Sequence, residues 1–148
     1  MNRLEADLAE LGLVENEPQK LPPLKVVARQ SDKNWERCKP WIEAGLQGSL
    51  LSVSDVEAQL KSGTAILWPG EKCAIVTEFV DYSSGERAAQ VMSAGGDMQE
   101  IIRMIPGMEA YGRLNGCSRI IVTGRLGWQR MLKSQGYDFL SVTVGKAL

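Results

Sequence analysis

One change of rhythm constrains this chain more than any other feature. From Thr64 to Gly95-Gly96 the chain runs in short apolar segments broken by turn residues, and from Asp97 to about Asn115 its apolar residues recur every three to four positions. Thr64 to Trp68 and Lys72 to Val80 read as a strand pair joined by Pro69-Gly70, a strong turn dipeptide. After the turn cluster Tyr82-Ser83-Ser84-Gly85, Arg87 to Met92 adds a third strand to this meander, and Gly95-Gly96 breaks it. From Asp97 to about Asn115, Met98, Ile101, Ile102, Ile105, Met108 and Tyr111 fall at helical spacing, so the main helix opens directly on the glycine pair. Pro106 predicts a kink or a division of that helix, and Asn115-Gly116 supplies its stop.

The flanking elements complete a mixed α/β domain over residues 24–148. Leu24 to Ala28 is an apolar run suited to a first strand. A helix follows from about Lys33 to Gly45, with Trp35, Cys38, Trp41 and Ile42 near one face. A second starts at Ser54-Asp55-Val56-Glu57, capped by Ser52 or Ser54, buries Val56 and Leu60, and stops at Gly63. Beyond the main helix, Arg119 to Thr123 is dense in β-branched residues and reads as a central strand. Leu126 to Gln135 is a short helix ended by Gly136, and Phe139 to Val144 a last strand. Residues 1–23 stand apart: Leu4, Leu8 and Leu11 mark a short amphipathic helix, and ENEPQKLPP a proline-rich linker. The segment is either a frayed tail or an arm that docks on another protein.

Bulk properties exclude several function classes. A chain of 148 residues buries roughly two-thirds of its unfolded surface, enough for a core without metal or disulfide staples. A net charge of −1 argues against a broad phosphate-tracking surface, so no nucleic-acid partner is expected. No apolar run approaches the roughly 18 residues of a membrane span, and the acidic residues in MNRLEADLAEL rule out a signal peptide there. Cys38, Cys73 and Cys117 fit reduced thiols, so a compartment without oxidising chemistry, such as the cytoplasm, is expected. The absence of histidine removes Ser-His-Asp and Cys-His catalysis and every His-based metal site.

The order of elements, ending in IIVTGRLGWQRMLKSQGYDFLSV, resembles the GNAT family of acetyl-CoA-dependent N-acetyltransferases. Ile120-Ile121-Val122, Trp128 to Lys133 and Gly136-Tyr137 match that family's penultimate strand, short helix and Gly-aromatic pair. In texture the chain is similar to small, divergent GNAT-like proteins of bacteriophages, often encoded beside virion genes, which implies the cytoplasm of a bacterial host cell or a virion as its location. The resemblance implies a mostly antiparallel sheet flanked by helices. It also implies a pyrophosphate loop, Gln/Arg-x-x-Gly-x-Gly/Ala, at the start of the main helix, where free amides receive the anion.

Departures from the family pattern shape the functional expectation. At the loop this chain has Ser93-Ala94-Gly95-Gly96-Asp97-Met98, so Ala94, Gly95, Gly96, Asp97 and Met98 are the candidate cofactor residues, with Arg125 after the next strand. Asp97 with Glu100 forms the Asp-x-x-Glu pattern of a self-capped helix, whose carboxylate competes with a pyrophosphate for the same amides and repels it. Leu132 stands where many family members carry an acid tyrosine, four residues before Gly136. Arg125 and Trp128 replace the family's asparagine and small alanine on the short helix. Glu78, sharing a strand face with Ala74 and Val76, is the candidate general base. Trp128 either anchors a partner or fills the core. Two readings follow: a GNAT-like protein without acyl transfer, needing no cofactor and bound through Leu4, Leu8 and Leu11 of its arm to another protein such as a phage structural protein; or an acetyl-CoA-dependent acyltransferase with a divergent loop.

Overall fold

A computed structural model of the chain describes residues 32–124 and 127–148. The strand predicted at Leu24 to Ala28, the N-terminal arm with Leu4, Leu8 and Leu11, and Arg125 lie outside the described residues.

Two helices come first. Helix α1, Asp32–Gly45, buries Trp35, Cys38 and Ile42, the stripe its periodicity requires. Helix α2, Val53–Ser62, is fixed at both ends by local chemistry. The Ser52 hydroxyl accepts from the Asp55 amide at 3.2 Å, and the Asp55 carboxylate accepts from the Ser52 amide at 2.9 Å. Gly63, at φ 81, closes its C-terminus. Of the two candidate caps, Ser52 is the one used.

The sheet is β1-β2-β3-β4, where β1 is Ala65–Pro69, β2 Cys73–Asp81, β3 Arg87–Gly96 and β4 Cys117–Val122. The first three pair antiparallel and β4 joins β3 in parallel, giving the mostly antiparallel mixed sheet expected. Helix α3, Met98–Leu114, connects β3 to β4, and α4, Gly127–Leu132, follows β4. Alternation along β2 divides the core into two layers. Ala74 and Val76 face α1 and α2 with Trp35, Ile42, Val56 and Met92. Cys73 and Ile75 face α3 and α4 with Val91, Ile101, Ile105, Met108 and Leu132.

Four expectations need correction. Strand β3 does not stop before Gly95-Gly96 but runs through both, which pair with Ala74 and Cys73. A register shift between Val76 and Thr77 leaves Met92 as an extra residue on β3, a bulge that lets Met92 and Ser93 both turn towards α1. Pro106 does not divide α3: Ile101, Ile105, Met108 and Gly112 are buried on both sides of it, while Pro106 and Gly107 face solvent. Among the described residues β4 is an edge strand rather than a central one, paired with β3 alone. Phe139 to Val144, expected as the last strand, has no ladder partner and is exposed throughout, for strand propensity without a neighbour forms no strand.

Candidate functional site

Parallel strands β3 and β4 pair only as far as Val91 and Val122. Beyond that point, among the described residues, β3 continues through Ser93 to Gly96 against β2 alone, so the two carboxyl ends fork apart. Helix α3 starts at this fork, and open α/β sheets place ligands at the carboxyl ends of their strands. The predicted residues Ala94, Gly95, Gly96, Asp97 and Met98 are therefore brought together at one mouth.

The local chemistry of that mouth is closed. Asp97 is the N-cap of α3: its Oδ1 accepts from the Gln99 amide at 2.8 Å and from the Glu100 amide at 3.3 Å. The Asp97 amide itself donates to the Lys72 carbonyl at 2.8 Å. Two of the first-turn donors that an anion would use, the Gln99 and Glu100 amides, are thus paired within the chain. The glycines are equally committed. A Cβ on Gly95 would lie 2.2 Å from the Trp41 carbonyl of α1, and one on Gly96 2.3 Å from the Lys72 carbonyl. Gly96 also adopts φ 102, which favours glycine. Opposite Gly95, the Ser93 hydroxyl donates to the Ile42 carbonyl at 2.8 Å, tying the bulged strand to the end of α1.

Glu100 departs from the expected reciprocal cap. Its carboxylate does not return to the Asp97 amide but reaches across to β2, accepting from the Lys72 amide at 3.2 Å and the Cys73 thiol at 3.1 Å. The thiol's hydrogen bond is the main influence holding the Glu100 carboxyl below its usual range. In return, burial first and the Glu100 contact second push the Cys73 thiol up to about 12, so no reactive thiolate forms there. On the opposite side of the turn, Arg37 of α1 donates to the Gly70 carbonyl at 2.6 Å and the Glu71 carbonyl at 3.2 Å. Helices on both faces of the sheet thereby grip one hairpin. Sequence reading missed this clamp, because only the fold brings Arg37, Gly70 and Glu100 together.

The other candidates lie elsewhere. Glu78 is half-buried, and burial raises its carboxyl pKa. However, it pairs with Gln90, four residues along β2 from the partner of Gly95, or about 13 Å at strand spacing. It also continues the Ala74–Val76 face, on the other side of the sheet from α3. Trp128 is half-buried and packs on the α3-side core, its ring against Gly124, where a Cβ would come within 2.8 Å. Leu132 is buried in the same cluster. Tyr137, the aromatic of the Gly136-Tyr137 pair, carries a hydroxyl to which the sequence assigned no role. Burial, then Glu109, push its pKa up to about 12, and it packs on the α3-side core. Among the described residues no cluster of Cys, Asp and Glu could hold a metal ion, and no helix is long and apolar enough to cross a membrane.

No family model matches the sequence, and no curated protein does. Solved structures show the fold. A probable acetyltransferase superposes with a TM-score of 0.61 at 12% identity, covering 80% of this chain and 95% of its own. Glucosamine-6-phosphate N-acetyltransferase from Arabidopsis thaliana gives 0.55 at 10% identity over 80% of this chain and 94% of its own. Ribosomal-protein-alanine N-acetyltransferase from Brucella melitensis biovar Abortus 2308 gives 0.54 at 11%, over 78% and 94%. The chain has the fold of the GNAT acetyltransferases.

Proposed function

We propose that this protein is a binding or structural component built on the GNAT fold, with another protein as its partner, and does not work through acetyl-CoA. The observation that carries this reading is the α3 start, where Asp97 caps the amides of Gln99 and Glu100 at 2.8 and 3.3 Å. A pyrophosphate placed there would have to displace a bonded carboxylate and would meet its charge, with Glu100 adding a second acid in the same turn. Gly95 and Gly96 support the same reading, since the backbone of Trp41 and of Lys72 packs against them where a side chain would begin, which accounts for both glycines without a ligand. The residues present do not fit the cofactor of the family, and no catalytic step is assigned. A particle or assembly of a bacteriophage is the setting that the sequence texture favours.

The carrying observation has its own test. Asp97→Ala removes the cap and should destabilise the domain by about 1 kcal/mol, the usual scale for a lost N-cap. Chemical denaturation measures this as a lower midpoint at constant slope. An unchanged midpoint would mean that the Asp97 carboxylate does not hold those amides, and the ligand-free reading would lose its basis.

A further inference from the structure

Helix α3 carries a second apolar stripe beside the one it buries. Met104, Gly107, Tyr111 and Leu114 follow one another at steps of three and four residues, so they share one face. That face is turned towards β1: the Tyr111 ring meets Trp68 of β1 edge-on at 5.5 Å and Phe79 of β2 at 6.0 Å. The surface is only partly covered. Leu114 is 63% exposed, the aromatic trio and Met104 are half-buried, and a side chain at Gly107 would meet no atom within 4 Å. The Trp68 indole donates to the Thr77 hydroxyl at 2.9 Å, so what its ring shows to the outside is apolar. Helix α3 packs on β2, β3 and β4, whereas the helices that pack on β1, α1 and α2, lie on the opposite face of the sheet.

The stripe continues at Met104 into an open groove of about 810 Å³. Arg103 stands on one wall, and Asn34, Arg37 and the Pro69-Gly70 turn on the other. Of the two acids there, Glu100 is bonded into the hairpin and Glu71 sits on the turn, which leaves both guanidinium groups at the rim. Helix α1 begins at Asp32, two residues before Asn34, so residues 1–31 join the domain at the mouth of this groove.

Those residues carry what the groove would take. Leu4, Leu8 and Leu11 form one apolar face at helical spacing, and a helix this short needs a surface to pack on. Residues 1–23 hold Arg3 and Lys20 against Glu5, Asp7, Glu10, Glu15 and Glu17, a net charge of −3. The rest of a chain of net charge −1 is therefore +2, complementary in sign to the arm. Residues 14–31 reach up to about 60 Å when extended, more than the roughly 35 Å breadth of such a domain. A tether of this kind holds the arm at an effective concentration on the order of 1 mM, which a second copy in dilute solution does not match.

We infer that the leucine face of residues 4–11 docks on its own chain, along the groove between α3 and the β1 margin. The inference stands whether or not acetyl-CoA binds at the fork, and a partner protein that takes the same leucines has to displace them from the groove.

Nitrogen-15 NMR of the full chain tests it, with Leu4→Asp/Leu8→Asp/Leu11→Asp as the undocked reference. The triple variant should shift the Trp68 indole resonance and the amides of Met104 to Leu114, and leave the indoles of Trp35 and Trp41 in place. The wild-type positions should not change on dilution. Leu114→Asp, at an exposed site that the core does not use, should speed tryptic cleavage after Arg3 several-fold. Coincident spectra of wild type and triple variant overturn the inference, as do shifts confined to other surfaces. Wild-type resonances that move towards the undocked positions on dilution would place the arm on a second copy, and an unchanged cleavage rate in Leu114→Asp would exclude this groove.

Discussion

Replacing Gly95 with alanine is expected to destabilise the folded domain by about 3 kcal/mol, before any ligand is considered. The new methyl group would lie 2.2 Å from the Trp41 carbonyl, a backbone atom that cannot swing aside. Helix α1 must therefore retreat from β3, which breaks the 2.8 Å hydrogen bond from Ser93 to Ile42 and loosens Cys38 and Ile42 against Ala74 and Val76. Overpacking of this kind costs about 1–3 kcal/mol, and the lost buried hydrogen bond about 1 more. For a domain of this size the melting temperature should fall by roughly 6–12 °C. The result separates two uses of a glycine. Were Gly95 small in order to admit a cofactor, alanine would leave the melting temperature in place and affect only binding.

The second large effect belongs to Arg87, whose side chain is only 8% exposed at the start of β3. Its guanidinium donates to both oxygens of Asp81 at 2.6 and 3.1 Å and to the buried Asn115 carbonyl at 3.0 Å. It thus ties the end of β2, the start of β3 and the C-cap of α3. Arg87→Met should cost about 2–3 kcal/mol, chiefly because the Asn115 carbonyl is left buried without a donor. Asp81 is 60% exposed, so its return to water adds little. The pair also sets a pH dependence. The hydrogen bond from Arg87 lowers the folded pKa of Asp81, so its contribution is present above the unfolded carboxyl pKa of about 3.9. It is lost as the pH falls through the lower folded value. Denaturation midpoints of wild type and Arg87→Met should therefore converge partly below about pH 4. Midpoints that remain equally separated at all pH values would show that the carboxylate contributes nothing.

Local signals were legible wherever short-range chemistry decides the structure. Gly63 and Asn115-Gly116 stop helices, Pro69-Gly70 turns a hairpin, and the stripes of α1 and α3 face the sheet, as the spacing requires. The cap on α3 was also legible, since Asp97 needs only amides two and three residues ahead. What the sequence hid depends on distant partners. A glycine pair reads as a strand break, yet here it lets β3 run under α1 and beside β2, a close approach that no local pattern records. Glu100 has the spacing of a capping box, but the Lys72 amide and Cys73 thiol of another strand take its carboxylate. Beta-branched residues in β4 indicate a strand but not how many neighbours it has. Glu78 is half-buried, as its apolar neighbours on that strand face allow, and lies too far along β2 to serve the fork.

The central claim, that the fork is closed to the family's cofactor, is tested most directly by a thermal-shift titration with acetyl-CoA and with CoA. A ligand that binds only the folded state at 100 times its dissociation constant adds about 2.7 kcal/mol of stability. We predict no saturable rise in melting temperature at millimolar concentrations of either compound. A saturable rise would contradict the account, return Gly95 and Gly96 to the role of pyrophosphate cradle, and restore the acyltransferase reading.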